Sequence, residues 1–385
     1  MDAHDPVAIA RALIRCPSVT PHDGGALLLL ENILEPYGFE KHRMTFTEPG
    51  TPDVDNLYAR FGRQGPNLSF AGHTDVVPPG KDSDWSHPPF AAEIQDGFLY
   101  GRGAVDMKGS IACFAAAAIR TVTIKGGLRG SLSFLITGDE EGPSINGTVK
   151  VLGWLHDRDE RLDACIVGEP TCPEQLGDMI KIGRRGSLTA QLTVHGKQGH
   201  AAYPHKADNP VPKLARILER LSTATLDDGS DDFQPSSLQV TIVSVPNTAS
   251  NVIPEEAHAT FNVRYNDHWS RAKIESWLRQ KCAEESEAAG ARISVSFHGT
   301  GDVFLTRPGP LVEAMTTAVR DVTGQVPELS TSGGTSDARF IQAHCPVIEF
   351  GLVNQTIHQI DERVAVDDLH RLTAIYERLI EVYFA

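Results

Sequence analysis

Two adjacent carboxylates, Glu140 and Glu141, follow directly on an apolar run in LSFLITGDEEGPSINGT, residues 132–148. Neighbouring side chains of an extended chain point to opposite faces, and two carboxylates held close together repel unless a cation lies between them. The pair is therefore part of a site whose other groups lie elsewhere in the chain. His73 and Asp75 stand in GHTDVVPPG after the apolar residues 68–71; in His-x-Asp the carboxylate can accept from the far nitrogen of a metal-bound imidazole. Asp106 lies among glycines and apolar residues in GRGAVDMKGS, Glu169 follows CIVG, and His358 sits in GLVNQTIHQIDE. Each of these alone reads equally well as a surface charge or a helix cap. A phosphate loop at Gly101-x-Gly103 is disfavoured, because Asp106 stands where the dinucleotide fingerprint needs a third glycine.

Taken together, successive strand ends deliver His, Asp, Glu-Glu, Glu and His, and parallel strands put such ends on one edge of a sheet. Two imidazoles with several carboxylates, and no suitably spaced thiolate, suit a catalytic zinc, cobalt or manganese centre and not a structural zinc knot. Four terminal ligands and one acid able to bridge are the number needed for two ions about 3.5–4 Å apart that share a water. One glutamate of the adjacent pair then binds metal, and its neighbour, turned toward the water, serves as general base.

Such a site requires a sheet with helices on its faces. Residues 7–15, 25–34 (opened by Asp23) and 107–124 read as helices, and residues 67–70, 131–137 and 164–167 as buried strands. This alternation predicts an α/β domain with a mostly parallel sheet. After Arg185 the pattern changes to half-buried alternating strands, in SLTAQLTVHGK, SLQVTIVSV, EEAHATFNVRY and ISVSF, with helices at 210–221 and 272–289. Helix 309–323 and the buried strand VIEFGLV return to the first pattern. The expected organisation is a discontinuous catalytic domain, 1–184 and 298–385, interrupted by a smaller α+β, ferredoxin-like dimerisation or lid domain, 185–297. Internal repeats are absent, and the acidic loop 226–237 is the one solvated stretch that stands out.

A chain of 385 residues exceeds the roughly 250–300 residues at which a single core stops growing, which also predicts two domains. Charged residues make up 22% and apolar ones 41%, with no run near the roughly 18 residues a membrane span needs. The start of the chain lacks the basic and apolar regions of a signal peptide, so a cytoplasmic location is expected. The six cysteines are scattered without a CxxC, which excludes a zinc ribbon or a redox motif and reads as reduced thiols. A formal net charge of -15 argues against nucleic acid and anionic membranes as partners. It leaves room for a small anionic substrate met by a local cluster of arginines.

The motifs GHTDVVPPG, DWSHPPFAAEIQDGFLYGRGAVDMKG, GDEEGPSINGT, GEPT, IKIGRRGSL, VHGKQGHAAYPHKADNP, SNVIP, SGGTSDARF and NQTIHQIDE, spread from Gly72 to Glu362, resemble the aminoacylase and carboxypeptidase G type of di-zinc amidohydrolases. Within that family GDEEGPSINGT, GRRGS and SGGTSDARF resemble a branch acting on a succinylated diamino acid. The resemblance implies two Zn2+ per chain, with Co2+ able to substitute: His73 and Glu169 on one ion, Glu141 and His358 on the other, and Asp106 bridging. It further implies that Asp75 holds His73, that Glu140 is the base, and that the Asp106–Met107 peptide is cis. His200 matches the family histidine that stabilises the oxyanion and comes from the partner subunit of a homodimer formed through the inserted domain. Arg184, Arg185, Ser187, Asn251, Arg264, Gly334 and Thr335 match positions that bind substrate carboxylates, a task suited to planar guanidinium forks. His195 reads as structural, and His87 and His205 are assigned no role. The implied reaction is hydrolysis of N-succinyl-L,L-2,6-diaminopimelate to succinate and L,L-2,6-diaminopimelate, with an N-acyl amino acid such as acetylornithine as the rival substrate. Ser250 and Ile182 depart from the family pattern at the edge of the substrate contacts.

Overall fold

The computed structural model describes residues 1–124 and 128–385. These form two compact units: Met1–Ile182 with Thr306–Ser330 and Ser336–Ala385, and Gly183–Leu305 with Thr331–Thr335. Among the described residues no helix is long and apolar enough to cross a membrane.

The first unit is built on an eight-stranded mixed sheet. Its spatial order is Glu40–Phe46, Val54–Phe61, Ser131–Thr137, Asn67–His73, Ala164–Val167, Val347–Glu349, Met179–Lys181 and Glu328–Ser330. The middle strands, from Ser131–Thr137 to Val347–Glu349, run parallel to one another. Asn67–His73 and Ser131–Thr137 are buried along their whole length, as expected of parallel strands covered on both faces. That double burial is why they read as continuous apolar runs in the sequence. Helix Lys108–Thr123 is buried on every side from Lys108 to Ile119. Its alanines allow close approach to helix Val366–Tyr383, onto whose Leu369 carbonyl Cys113 donates at 3.2 Å. Phe114 stacks on Phe70 of the sheet with ring centroids 4.5 Å apart, and removing such a buried ring costs about 3–5 kcal/mol.

Two features of this unit differ from the expectation. The strands Glu40–Phe46 and Val54–Phe61 extend the sheet antiparallel at one edge. The outermost begins Glu40-Lys41-His42-Arg43 and is buried only at Met44, a charged edge strand with no core-facing run to reveal it. The unit also holds a small antiparallel sheet of Ile94–Gln95, Phe98–Tyr100 and Arg363–Ala365.

The second unit carries a four-stranded antiparallel sheet in the order Ser237–Ser244, Glu256–Tyr265, Gly186–His195 and Arg292–Gly301. Helices Pro210–Ser222 and Arg271–Ala289 connect these strands in the β-α-β-β-α-β sequence of a ferredoxin-like layer. Glu256–Tyr265 alternates strictly between half-buried and buried residues. Its buried residues Phe261, Val263 and Tyr265 join Leu188, Leu192, Leu214, Ile217, Ile274 and Leu278 in one core. Ser270 caps the second helix by accepting from the Lys273 amide, and Gly290 ends it in the left-handed conformation at φ +58°.

Candidate metal centre

Because the central strands are parallel, their carboxyl ends meet at one edge of the sheet. His73 is the last residue of its strand, while Glu140 and Glu141 follow Ser131–Thr137 and Glu169 follows Ala164–Val167. His358 lies in the loop beyond Val347–Glu349, in the left-handed region at φ +60°. Asp106 arrives differently from the expectation. It comes not from a strand of the main sheet but from the turn between Phe98–Tyr100 of the small sheet and helix Lys108–Thr123. The Asp106–Met107 peptide is cis.

His73 is buried, with Nδ1 2.8 Å from the carbonyl oxygen of Asp75 and Nε2 3.1 Å from Asp106 Oδ1 and 3.8 Å from Glu169 Oε1. A carbonyl only accepts, so the Nδ1 proton is fixed there, and Nε2 is left facing carboxylate oxygens alone. Asp106 turns its other oxygen to the second imidazole, Oδ2 lying 3.0 Å from His358 Nε2, which is also 2.8 Å from Glu141 Oε1. One carboxylate thus offers one oxygen to each imidazole, which is the geometry of a bridging ligand. Ligand atoms of His73, Glu140 and Glu169, and of His73, Asp106 and Glu141, lie within 4.8 Å of one another. Glu140 is therefore within reach of the first group, while Glu141 meets His358.

The electrostatics show a site short of positive charge. Burial, reinforced by Asp337, Asp106 and Glu141 against the opposing pull of His73, pushes Glu140 up to about 8. Burial with the charges of Asp106 and Glu140 raises Glu169 well above the carboxylate range. Hydrogen bonds to Asp106 and Glu141 lift His358 to about 10. For His73 burial acts downward, but the hydrogen bond and charge of Asp106, with Asp75 and Glu140, outweigh it and hold the imidazole well above its ordinary value. Without cations Glu140, Glu169, His73 and His358 hold protons more tightly than usual, whereas at Asp106 burial is overcome by the two imidazoles, which hold the carboxyl below the ordinary carboxylate range. Divalent ions are the natural replacement for those protons, and two imidazoles with oxygen donors fit zinc-like metals.

Asp75 acts differently from the expectation. Its carboxylate stands 3.7 Å from His73 Nδ1, and the imidazole is held by the Asp75 backbone carbonyl instead. The carboxylate accepts from the Thr20 hydroxyl at 2.7 Å and from the amides of Glu140 at 3.3 Å and Glu141 at 3.1 Å. It positions the backbone of the glutamate pair. Burial, only partly offset by His73 and these donors, pushes Asp75 up to about 6. Nothing in the sequence marks Thr20 or Asp337 as part of this site. Thr20, in SVTPHDGG, carries no charge to mark it, and Asp337, buried with its Oδ2 accepting from Thr148 at 2.6 Å, resembles any helix-initiating aspartate in sequence.

The remaining expected residues all belong to the second unit. Ser187 and Arg264 are cross-strand partners, joined through Asn262, which donates to Ser187 Oγ at 3.3 Å and accepts from Arg264 Nε at 2.9 Å. Arg184 is buried and donates to the Ser332 carbonyl at 2.9 Å, in the segment that continues to Gly334 and Thr335. Arg185 donates to the Pro235 carbonyl at 3.1 Å. His200 is exposed beside Asn251, whose carbonyl accepts from the Ala201 amide at 2.9 Å. His195 is bound to Glu256 and Ser294, at 2.8 and 2.9 Å, on the sheet.

This geometry can be set beside known proteins. The chain is 56% identical over 385 residues, 99% of its length and 100% of the relative's, to a succinyl-diaminopimelate desuccinylase of Bradyrhizobium sp. (strain ORS 278). It is also 56% identical over 381 residues, 98% of its length and 96% of the relative's, to a succinyl-diaminopimelate desuccinylase of Methylobacterium nodulans. Among solved structures, an M20 family metallo-carboxypeptidase from Sulfolobus solfataricus shares the fold with a TM-score of 0.80 at 19% identity, covering 100% of this chain and 99% of that one. Residues 69–382, which include every candidate ligand, match the family described as Peptidase family M20/M25/M40, and the chain belongs to that family.

Proposed function

We propose that the chain hydrolyses the amide of N-succinyl-L,L-2,6-diaminopimelate, releasing succinate and L,L-2,6-diaminopimelate for diaminopimelate and lysine biosynthesis. The substrate follows the two full-length relatives at 56% identity. The chemistry is carried by one observation, the placement of Asp106 with one oxygen toward each histidine. In this reading His73 and Glu169 would hold one Zn2+, Glu141 and His358 would hold the other, and Asp106 would be shared between them, with Co2+ able to replace zinc. Bound there, two divalent ions would polarise the scissile carbonyl and acidify a water. Glu140 takes the proton of the attacking water and returns it to the leaving amine nitrogen. Asp75 keeps Glu140 and Glu141 in register through their amides.

The inserted domain, 185–297, serves as dimerisation and lid domain, and the enzyme is a homodimer in the cytoplasm. His200 of the partner subunit donates to the developing oxyanion. Arg184, Arg185, Ser187, Asn251, Arg264, Gly334 and Thr335 take up the substrate carboxylates. The test is metal analysis joined to turnover of N-succinyl-L,L-diaminopimelate and N-acetylornithine by the purified protein. Two ions per chain with strong preference for the succinyl substrate is the expected result. Preference for the acetyl substrate would overturn the substrate, and turnover undiminished after chelation would overturn the chemistry.

A further inference from the structure

The loops that carry Asp106 and His358 meet behind the candidate centre at a buried ion pair, Arg102 with Glu362, exposed by 2% and 0%. Glu362 Oε2 accepts from Arg102 Nη1 at 2.6 Å and from the Gly103 amide at 3.2 Å. Its Oε1 accepts from the Val105 amide at 2.8 Å and from the Asp106 amide at 3.2 Å. Arg102 in turn donates to the backbone carbonyls of His358, from Nη2 at 3.2 Å, and Gln359, from Nη1 at 3.3 Å. The Gly101 amide closes the connection on the Glu362 carbonyl at 2.9 Å. Every group around Glu362 donates, so only an acceptor-only side chain satisfies them all. The groups facing Arg102 all accept, which calls for a donor-only one.

The loop held in this way has reason to need holding. His358 and Asp361 are both non-glycine residues in the left-handed region, at φ +60° and +57°, a conformation that persists only where the surroundings impose it. Asp361 is tied from its other side by the Ser86 amide and hydroxyl, at 2.7 and 2.8 Å. The guanidinium of Arg102 lies 5.3 Å from the ring centroid of Trp85, next to Ser86. One buried pair therefore links the backbones on which Asp106 and His358 are mounted to the segment that follows His73.

We infer that Arg102 and Glu362 are a positioning pair that sets the spacing of Asp106 and His358 and so governs retention of the ion those two residues share with Glu141. The inference rests on the reading of Asp106 and His358 as ligands. Neither Arg102 nor Glu362 contacts that ion or the substrate; they act through the backbone amide of Asp106 and the backbone carbonyl of His358. Groups that hold a metal ligand in place through hydrogen bonds typically change metal affinity by about 10–100-fold.

The test uses the full chain as Glu362→Gln, which turns an NH2 group toward a donor, and as Arg102→Lys, which keeps the charge but loses the fork that reaches both carbonyls. Zinc binding is followed by calorimetry, and the cobalt-loaded form by its visible absorption, with His358→Ala alongside. The expected result in both variants is a second equivalent weakened by about 10–100-fold while the first stays close to wild type. Turnover at high free zinc should recover with unchanged KM, a rescue that a merely damaged fold would not show. Folded variants that bind both equivalents with wild-type affinity, whatever their melting temperature, overturn the inference. Should Glu362→Gln fail to fold, Arg102→Lys decides alone. If His358→Ala still binds both equivalents, the ligand reading has failed instead.

Discussion

The two units treat charge in opposite ways. In the first, His73, Asp75, Asp106, Arg102 and Glu362 are exposed by 6% or less and meet one another, backbone groups, the Thr20 hydroxyl or His358. In the second, the charged and polar side chains of the sheet, among them Arg264, His195, Glu256 and His258, are half-buried on the face turned away from its own helices. Among the described residues Glu285 and Arg184, exposed by 3% and 8%, are the exceptions there; Arg216 and Arg220 neutralise the first, and the second donates to the Ser332 carbonyl. Burying charge is costly unless it is paired or replaced by bound cations. The first unit sustains that cost where chemistry needs strong electrostatics, and the second holds Arg264 half-buried on its sheet with Nε on Asn262.

The comparison breaks most visibly if a buried ligand is removed. Asp106→Asn should lower turnover on the order of 10³-fold or more, because it weakens the ligand shared by both ions. Metal analysis should show fewer than two ions per chain. Retention of both with turnover near wild type would remove Asp106 from the centre.

The next effect in size asks whether the second unit contributes chemistry as well as recognition. His200→Ala and Glu140→Ala proteins should each be inactive. Unfolded and refolded together, about half of the dimers are mixed and each has one site intact in every catalytic residue, so roughly a quarter of wild-type activity should return. Mixed dimers as inactive as their parents would place His200 outside a shared site.

A smaller effect belongs to recognition. Arg264→Met removes a guanidinium held by Asn262 and should reduce kcat/KM by about 10–100-fold, mainly through KM, with metal content unchanged. An unchanged KM would take Arg264 out of the substrate contacts.

The smallest effect concerns the metal-free protein. Asp75, Glu140 and His358 are raised in the folded state to about 6, 8 and 10. Groups raised on folding contribute stability below their unfolded pKa and lose it as pH climbs through the folded value. Chelated protein should therefore melt a few degrees lower at pH 8 than at pH 5, and added zinc should remove most of that difference. A metal-free melting temperature that rises over this interval would contradict the charge-deficient centre.

What could be read from the sequence follows from the same physics. Asn67–His73, Ser131–Thr137 and Ala164–Val167 are buried throughout, so their apolar runs were visible and so were the residues at their ends. Strict alternation in Glu256–Tyr265 likewise marked the second sheet. The edge strand Glu40–Phe46 lacked any such run. Asp106 was legible as a buried acid needing a cation, but its route from the small sheet was not, because Phe98–Tyr100 is only three residues long. The carboxylate of Asp75 serves amides more than sixty residues away, and Arg102 meets Glu362 across 260 positions. Spacing motifs carry no trace of such pairings, which exist only once the loops have folded together.

The most direct test of the account separates the adjacent glutamates. Both lie near the histidines, yet only Glu141 meets His358, at 2.8 Å, while Glu140 is assigned the proton. Metal content and turnover should be measured together on Glu140→Ala and Glu141→Ala. The account predicts two ions and no turnover in the first, and loss of an ion together with turnover in the second. Loss of an ion from Glu140→Ala, with Glu141→Ala retaining both, would mean that the roles of ligand and base are reversed.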